Sequence, residues 1–374
     1  MHLDREGTEL RNGRPDSSSK PQAKFPAVGK ISPEFFDEVI YPRLGAKRPE
    51  VIVGPQHGVD CGVIRIGDGK VMVVTTDPIF IVPEYGFERA AWFAWHILAS
   101  DVTTSGFPPA YILVDFNLPL SITEEQFATV WQIFDRESRK YGAEVVAGHT
   151  ARYAGTDYPM VGGATFVAVG PEDRFIHPGM AQPGDVVVVT KGAAIEATGI
   201  FACAFPETIR THLGEDILRD GQDIFYKMST VDDALTAVTV GVRQDGVTAM
   251  HDATECGVVG GLFEIAQASG TGIVIDVGKV PVSPAAEAIC RHFGMDPLIS
   301  ISEGTLLICV RPSKIERLLY ALRAKGIVAE AIGEILPRAD GFWMVAGGKR
   351  RPLDHPRVDP FWPAMQRAME SGLK

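Results

Sequence analysis

Several things are scarce in this 374-residue sequence, and each scarcity excludes a class of protein. No stretch reaches the roughly 18–20 uninterrupted apolar residues that a membrane-spanning helix needs. The most apolar helical run, Ala90 to Ala99, is too short, so no membrane association is expected. Five cysteines (Cys61, Cys203, Cys256, Cys290, Cys309) are odd in number and form no CxxC pair. Neither a disulfide framework nor a structural zinc is indicated. Asparagine occurs only at Asn12 and Asn117, the direction expected of a chain that avoids thermolabile residues. Positive charge is outnumbered, 36 Lys and Arg against 47 Asp and Glu for a net charge of −11. Binding along a phosphate backbone needs concentrated positive charge, so no nucleic-acid partner is expected. GxxxxGK[ST], strand-linked GxGxxG, HExxH and GxSxG are all missing, which removes the common ATPase, dehydrogenase, zinc-protease and hydrolase signatures.

What is present is ordinary globular composition, 45% hydrophobic and 22% charged, in a chain long enough for two domains. Residues 1–28 are polar, lack the apolar core of a secretory signal and read as a flexible cytoplasmic tail. Apolar residues at Phe35, Phe36, Val39, Ile40 and Leu44 predict a short helix closed by Gly45. Strand signals follow at 51–53, 61–66 and 70–76, the last two joined by Gly-Asp-Gly in a hairpin. A helix apolar nearly all round is expected over Phe87 to Ser100. A strand at 110–116, a helix from Thr123 to Tyr141, and strands in AEVVAG and MVGGATFVAVG complete a domain over 29–172. Pro, Gly and charge concentrate at 171–185, the best boundary. A second α/β domain is expected over 183–347. It has strands at 186–190, 272–276, 304–310 and 328–335, a helix in KGAAIEATGIFACAF, and helices at 231–243, 257–269, 283–293 and 313–325. Residues 348–374 read as a basic, proline-broken tail with room for a short final helix, whose Phe361 and Trp362 dock on the body.

Chemistry is concentrated in isolated aspartates at strand or helix ends. Asp60, in GPQHGVDCGVI, is surrounded by Gly54, Gly58 and Gly62; an Asx turn is the alternative to a ligand. Asp77 closes the apolar VMVVTTDP strand, where it could simply cap the strand end. Asp101, in ASDVTTSGFPP, follows the apolar helix. A carboxylate there must be solvated, paired or metal-bound. Asp252 precedes the small, glycine-rich start of a helix whose amides could hold a phosphate, and Cys256 sits in that turn as either a small buried hydrophobe or a thiol near substrate. His149 lies in VVAGHTARY and is either a packed or interface histidine or a catalytic one; His96 and His57 are weighed the same way. Hard oxygen donors spread along the chain favour magnesium, which takes one or two carboxylates together with substrate phosphates, and ATP is the natural phosphate source.

GKISPEFFDEVIYPRLG, GPQHGVDCGVI, VVTTDP, ASDVTTSGFPP, VAGHT, AMHDATECGVVGGLFEIA and DPLISISEGTLLICV occur in this order. The series resembles the superfamily of aminoimidazole ribonucleotide synthetase, selenophosphate synthetase, thiamine-monophosphate kinase and the hydrogenase maturation factor HypE. It is most like the HypE-related synthetase-like proteins. The resemblance spans roughly Gly29 to Gly347. It implies a two-domain α/β (α+β) fold, with an N-terminal ATP-binding domain that dimerises into a central β-barrel and a C-terminal α/β domain. By motif, Asp60, Asp77 and Asp101 are the implied magnesium or phosphate ligands. Gly148 and Thr150 match a glycine-rich nucleotide turn, and Lys30 an N-terminal segment that can fold over phosphates. Asp252 and His149 would face the acceptor as general base or orienting groups.

The resemblance also has departures. HypE ends in a cysteine-bearing tail, whereas this sequence has no cysteine after Cys309. Ser100 stands where the family usually has Asn, and Cys256 replaces the first of two glycines. The expected activity is ATP- and Mg2+-dependent phosphoryl transfer to an oxygen of a small-molecule acceptor by a cytoplasmic homodimer. The alternatives are a non-catalytic ATP-binding dimeric partner in a maturation pathway, or an authentic step of purine or thiamine biosynthesis.

Overall fold

The computed structural model describes residues 29–374, which divide into a short unit ending at Gly45 and a unit Ala46–Lys374; the tail expected over 1–28 lies outside the described residues. In the short unit, Ser32 caps the turn Pro33–Phe35, and its hydroxyl accepts from the Phe35 amide. A π-helical turn, Phe36–Ile40, and a 3-10 turn, Tyr41–Arg43, follow. The apolar spacing thus gives helical turns of three kinds rather than one regular helix.

The larger unit carries two mixed sheets with helices packed on them, the α/β class expected. The first sheet is built from β1 (Val51–Val53), β2 (Gly62–Gly67), β3 (Lys70–Phe80), β4 (Tyr111–Leu118), β5 (Glu144–Arg152) and β6 (Met160–Pro171). Their order is β1-β2-β3-β6-β4-β5, and only β4 and β5 run parallel. Asp68 and Gly69 both adopt positive φ in the β2–β3 hairpin, as a tight primed turn requires. Within one chain this sheet is open, with β1 and β5 at its edges. The second sheet contains β7 (Val186–Thr190), β8 (Val247–Asp252), β9 (Gly272–Asp276), β10 (Leu306–Val310), β11 (Ala329–Leu336), β12 (Phe342–Ala346) and β13 (Lys349–Pro352), ordered β13-β12-β9-β11-β7-β10-β8.

Helix Phe87–Thr103 lies at the centre. Thirteen of its 17 residues are buried, because it is apolar on every side and has protein on every side. It packs on the β3 face that carries Val71, Val73, Thr75 and Ile79, and one continuous core runs from that sheet through Trp95 and Leu98 to Phe201, Phe225, Ile289 and Phe361. Helix Glu124–Tyr141 covers it from outside. This second helix starts in a reciprocal Thr123–Gln126 capping box and stops at Gly142 in the left-handed region. Among the described residues no helix is long and apolar enough to cross a membrane.

Some expectations need correction. The helix placed over 231–243 is Val231–Ala237 followed by a 3-10 turn. Helices Pro206–Leu213 and Glu215–Phe225 and strands β8, β12 and β13 had not been expected. β8 is buried at every residue, so it has no inside-outside alternation to betray it. Residues 348–374 are folded onto the body: β13 joins the second sheet, and helix Phe361–Glu370 buries Phe361, whose ring meets Phe201 edge-on at 5.6 Å. Trp362 donates its indole N–H to Glu255 at 2.6 Å. Phe361→Ala should therefore cost about 3 kcal/mol of stability, seen as a lower denaturation midpoint; an unchanged midpoint would show that this segment does not contribute to the core.

Candidate functional site

The four aspartates singled out in the sequence come from four separate elements and meet. In β3 the side chains alternate, so Thr75 and Asp77 share the face that looks toward helix Phe87–Thr103. Asp77 pairs with Ala164 within the ladder, three residues before the strand ends, so it is a strand residue and not a strand-end cap. Asp101 is also inside its element: the helix continues to Thr103, one turn beyond the expected end. Its Oδ2 accepts from the Thr75 hydroxyl at 2.9 Å, while its main-chain oxygen accepts from Cys61 Sγ at 3.1 Å and from the Thr104 hydroxyl at 2.6 Å.

Asp60 arrives by a close approach of two chain segments. Gly58 sits at φ +70, and a Cβ there would lie 2.9 Å from both the Cβ and the main-chain oxygen of Glu264. Only glycine lets the loop before β2 press against helix Gly257–Ser269. Asp60 Oδ2 then lies 2.8 Å from Nδ1 of His251, and the other ring nitrogen of His251 lies 2.8 Å from Glu264 Oε2. Asp252, the next residue at the end of β8, is fully buried. Its Oδ1 is 3.9 Å from His251 Nδ1, and neither of its oxygens has a hydrogen-bond partner among the described residues.

His251, Glu264 and Glu303 had not been singled out as functional. Glu303 lies in the turn before β10, 1% exposed, with Oε1 accepting from the Gly304 amide and Oε2 without a hydrogen-bond donor among the described residues. Its own amide donates to Glu196 Oε2 at 3.0 Å. A glutamate inside the SISEGT segment, between a hydroxyl and a glycine, was the available signal.

These groups sense one another strongly. Burial, followed by the charges of Asp252, Asp77 and Asp60, pushes the Asp101 carboxyl well above the usual carboxylate range. Burial and then Asp60 raise Asp252 from 3.8 to about 6, against the opposing pull of His251. Burial, Asp252 and Glu196 raise Glu303. Burial opposes a charged His251, but the Asp60 charge and the hydrogen bonds to Asp60 and Glu264 override it and raise that histidine well above its ordinary value. Among the described residues no lysine or arginine is ion-paired with Asp101, Asp252 or Glu303. A buried group of carboxylates without a counter-charge is costly, and a divalent cation is the species that would relieve it.

Other expected site residues lie elsewhere. His149, Gly148 and Thr150 are strand residues of the edge strand β5, not a turn, and all three are exposed. The ladder links Asp77 to Ala164, Ala164 to Val114 and Val114 to Gly148, so Gly148 is three strand spacings, about 14 Å, from Asp77. The His149 ring bonds the Tyr153 hydroxyl at 2.8 Å, and the structure does not bring it into the carboxylate cluster. Gly148 has a packing reason of its own, since a Cβ would meet the Val114 carbonyl oxygen at 2.8 Å. Lys30 is an exposed residue of the short amino-terminal unit.

The phosphate expected at the start of helix Gly257–Ser269 meets a different arrangement. The Cys256 amide donates to Asp359 Oδ2 at 2.6 Å, and the amides of Gly257 and Val259 donate to main-chain oxygens. Cys256 itself is buried at φ +63 as the helix cap, the packed reading. Cys61 is buried, and burial and then Asp101 push its thiol up, away from the reactive thiolate.

A two-sheet α/β chain in which carboxylates from the first sheet, the central helix and the second sheet converge is the class defined so far, and the comparisons narrow it. The chain belongs to the AIR synthase related family: residues 58–169 match the family's N-terminal domain and residues 182–345 its C-terminal domain. It is 28% identical over 270 residues to the carbamoyl dehydratase HypE of Escherichia coli (strain K12), covering 70% of this chain and 75% of that protein. It is 25% identical over 334 residues to the selenide, water dikinase of Geobacter sp. (strain M21), covering 83% and 93%. A crystal structure of the hydrogenase maturation protein HypE in complex with ATP superposes with a TM-score of 0.61 at 19% identity, covering 88% of this chain and 97% of that one.

Because Asp252 holds its proton more tightly when folded than at its ordinary 3.8, the metal-free fold loses stability as pH rises from about 4 to 6, and the cost is constant above that. Asp252→Asn removes this term. In the presence of chelator, the stability of Asp252→Asn relative to wild type should grow by up to about 3 kcal/mol between pH 4 and 6 and then level off. A difference independent of pH in denaturant titrations would contradict the burial of this charge.

Proposed function

We propose that the protein is an ATP- and magnesium-dependent enzyme that transfers the γ-phosphoryl group to an oxygen of a small-molecule acceptor. The observation that carries this reading is the convergence of the half-buried Asp60 and Asp77 with the buried Asp101, Asp252 and Glu303, the last three having no paired lysine or arginine among the described residues. Membership of the family and the names of its relatives support it: one is a dikinase, and another is a maturation protein solved with ATP.

Magnesium fits the donors present. They are hard oxygens, and two buried carboxylates keep oxygens uncommitted. Asp60, Asp77 and Asp101 would hold the ion, whose chemistry would be to neutralise negative charge on a bound polyphosphate. The chain's own work is positional. Thr75 fixes one Asp101 oxygen, and the His251 bond fixes Asp60. Around Asp101 and Asp252 the enclosing protein keeps water away, which makes electrostatic contacts there stronger than they would be in solution. Glu303, with one oxygen uncommitted among the described residues and a proton affinity raised by burial, Asp252 and Glu196, would take the acceptor hydroxyl's proton in this reading. It fills the role expected of His149. Nucleotide contacts by Thr150, Gly148 and Lys30 rest on the resemblance. The acceptor is a free molecule in this reading.

Incubation with ATP, Mg2+ and panels of carboxylate, carbamoyl and hydroxyl acceptors should release ADP. Asp77→Asn and Asp101→Asn should lower the rate by about 100-fold or more without lowering the melting temperature. ATP binding by calorimetry with no ADP formed from any acceptor would instead favour a nucleotide-binding partner protein.

We further propose a homodimer formed through the outer face of the first sheet. Tyr111 and Leu113 of β4 and Val146 of β5 leave that face 45%, 39% and 52% exposed at apolar positions, a patch that a monomer would rarely leave bare. Light scattering should give about twice 40.5 kDa, and Leu113→Lys should shift the protein toward the monomer; a monomeric wild type would overturn the proposal.

A further inference from the structure

Apart from the carboxylate centre, a cavity of about 620 Å³ opens between helix Phe87–Thr103, the end of β7 and helices Val231–Ala237 and Ile315–Ala324. Its size falls within the about 300–1,000 Å³ of small-molecule sites, and both halves of the chain form it, as is common for such sites. Neither Asp60, Asp77, Asp101, Asp252 nor Glu303 lines it. Ser229 does, and the next residue, Thr230, donates its amide to Ser100 Oγ at 3.0 Å, both residues being inaccessible to water. At that contact packed protein, not a channel, joins the cavity to the neighbourhood of Asp101.

The lining meets negative charge. It holds four lysines, two aspartates and, among the described residues, no arginine, a surplus of two positive charges in a chain whose net charge is −11. Lys191 is the anchor. Its positive φ of 60° is uncommon for a residue with a side chain and marks a constrained position. Its side chain, 11% exposed, donates to the Ser229 main-chain oxygen at 2.9 Å and to Asp233 Oδ1 at 2.6 Å. An ammonium has three N–H donors, so one remains for a ligand. Lys227 and Lys325 also line the cavity, are exposed, and form no ion pair among the described residues.

The rest of the wall is aromatic and carries one oriented hydroxyl. Tyr226, 47% exposed, sets its ring edge-on to Trp92 at 5.3 Å, which offers aromatic surface to a planar ligand. Ser229 Oγ lies 2.7 Å from His96 Nδ1, and the other ring nitrogen lies 3.3 Å from Glu137 Oε2. Burial acts to raise the Glu137 carboxyl, but its hydrogen bonds to His96 and Arg136 hold it down to about 2. A carboxylate beside Nε2 keeps the ring proton there, so Nδ1 accepts from the Ser229 hydroxyl. Of the two acceptor positions on the serine oxygen, the Val231 amide uses one at 3.4 Å and the other remains for a ligand donor.

We propose that this cavity is a ligand site in its own right, for a small molecule in which a planar ring carries a phosphate group. Lys191, Lys227 and Lys325 take the phosphate, Tyr226 and Trp92 border the ring, and Ser229 accepts from a ring N–H or hydroxyl. The donor set favours phosphate: it spreads close to two negative charges over three terminal oxygens, which suits several point charges, whereas a planar carboxylate is matched best by the fork of arginine. The inference does not rest on the phosphoryl-transfer reading, since the two sites share no side chain.

The test uses the full chain and a stoichiometric amount of pyridoxal 5′-phosphate. The aldehyde carbon condenses with a lysine ε-amine with loss of water, and borohydride then adds hydride to the imine carbon, leaving a secondary amine that peptide mass spectrometry locates. A single tag is expected, on Lys191, Lys227 or Lys325. Excess pyridoxine 5′-phosphate, which has the ring and the phosphate but no aldehyde, should prevent it; pyridoxine without phosphate should not. Tryptophan fluorescence then gives the affinity for pyridoxine 5′-phosphate without covalent chemistry. Lys227→Met combined with Lys325→Met, both at exposed positions, should weaken it at least about 10-fold, and Asp77→Asn, outside the cavity, should leave it unchanged. Tags scattered over surface lysines, or a tag at these lysines that pyridoxine 5′-phosphate does not prevent, would overturn the proposal without any variant having to fold. So would an affinity lowered as much by Asp77→Asn as by the lysine pair, because the ligand would then belong to the carboxylate centre.

Discussion

Crowding of like charges in a dry place is the constraint on which the rest of this structure depends. Asp101, Asp252 and Glu303 are all nearly or fully inaccessible to water, and the surrounding protein raises the proton affinity of each. A fold tolerates such an arrangement only if something else stabilises it. Here the continuous core is the compensation. Helix Phe87–Thr103 is buried over most of its length, and the core that runs from it to Phe361 ties the carboxy-terminal helix to the first sheet. The carboxylates sit where that core meets the end of β8, so apolar packing holds together groups whose charges oppose the assembly.

How the two sheets share the site follows from topology. The first supplies Asp77 from β3 and, just before β2, Asp60; the second supplies His251 and Asp252 from β8. β8 is the last strand of its sheet and pairs only with β10, and its burial at every residue comes from neighbours beyond the ladder. The bond between His251 and Asp60 spans 191 positions of sequence. A rigid joint between the two halves is therefore part of the site itself: a shift of about 1 Å between them would break a 2.8 Å contact.

That distance explains which parts were legible in the sequence. Strands with an alternating or continuous apolar pattern, the capped Thr123 helix and the Gly-Asp-Gly hairpin carry their signals locally. Asp60, Asp77 and Asp101 stand out because a lone carboxylate beside an apolar run is conspicuous. Asp252 was conspicuous for the glycines after it, although its helix start is capped from Asp359, far along the chain. His251 carried no comparable mark: a histidine within six buried strand residues resembles a packed one until Glu264 and Asp60 are seen on either side of its ring. Glu303 was invisible for a related reason, since its neighbours Glu196 and Asp252 come from other elements. His149 lies apart from this cluster, in β5. Its glycine and threonine neighbours suggested a turn, yet Gly148 is glycine because β4 passes too close for a Cβ, and the strand continues through it.

The histidine changes what the centre can be. His251 is anchored on both sides at 2.8 Å by carboxylates of opposite halves of the chain, so its ring cannot turn away without breaking a contact between the halves. The Asp60 charge and the hydrogen bonds to Asp60 and Glu264 favour its charged form, and as a fixed cation it offsets part of the negative charge of the cluster and holds Asp60 in place across the two halves.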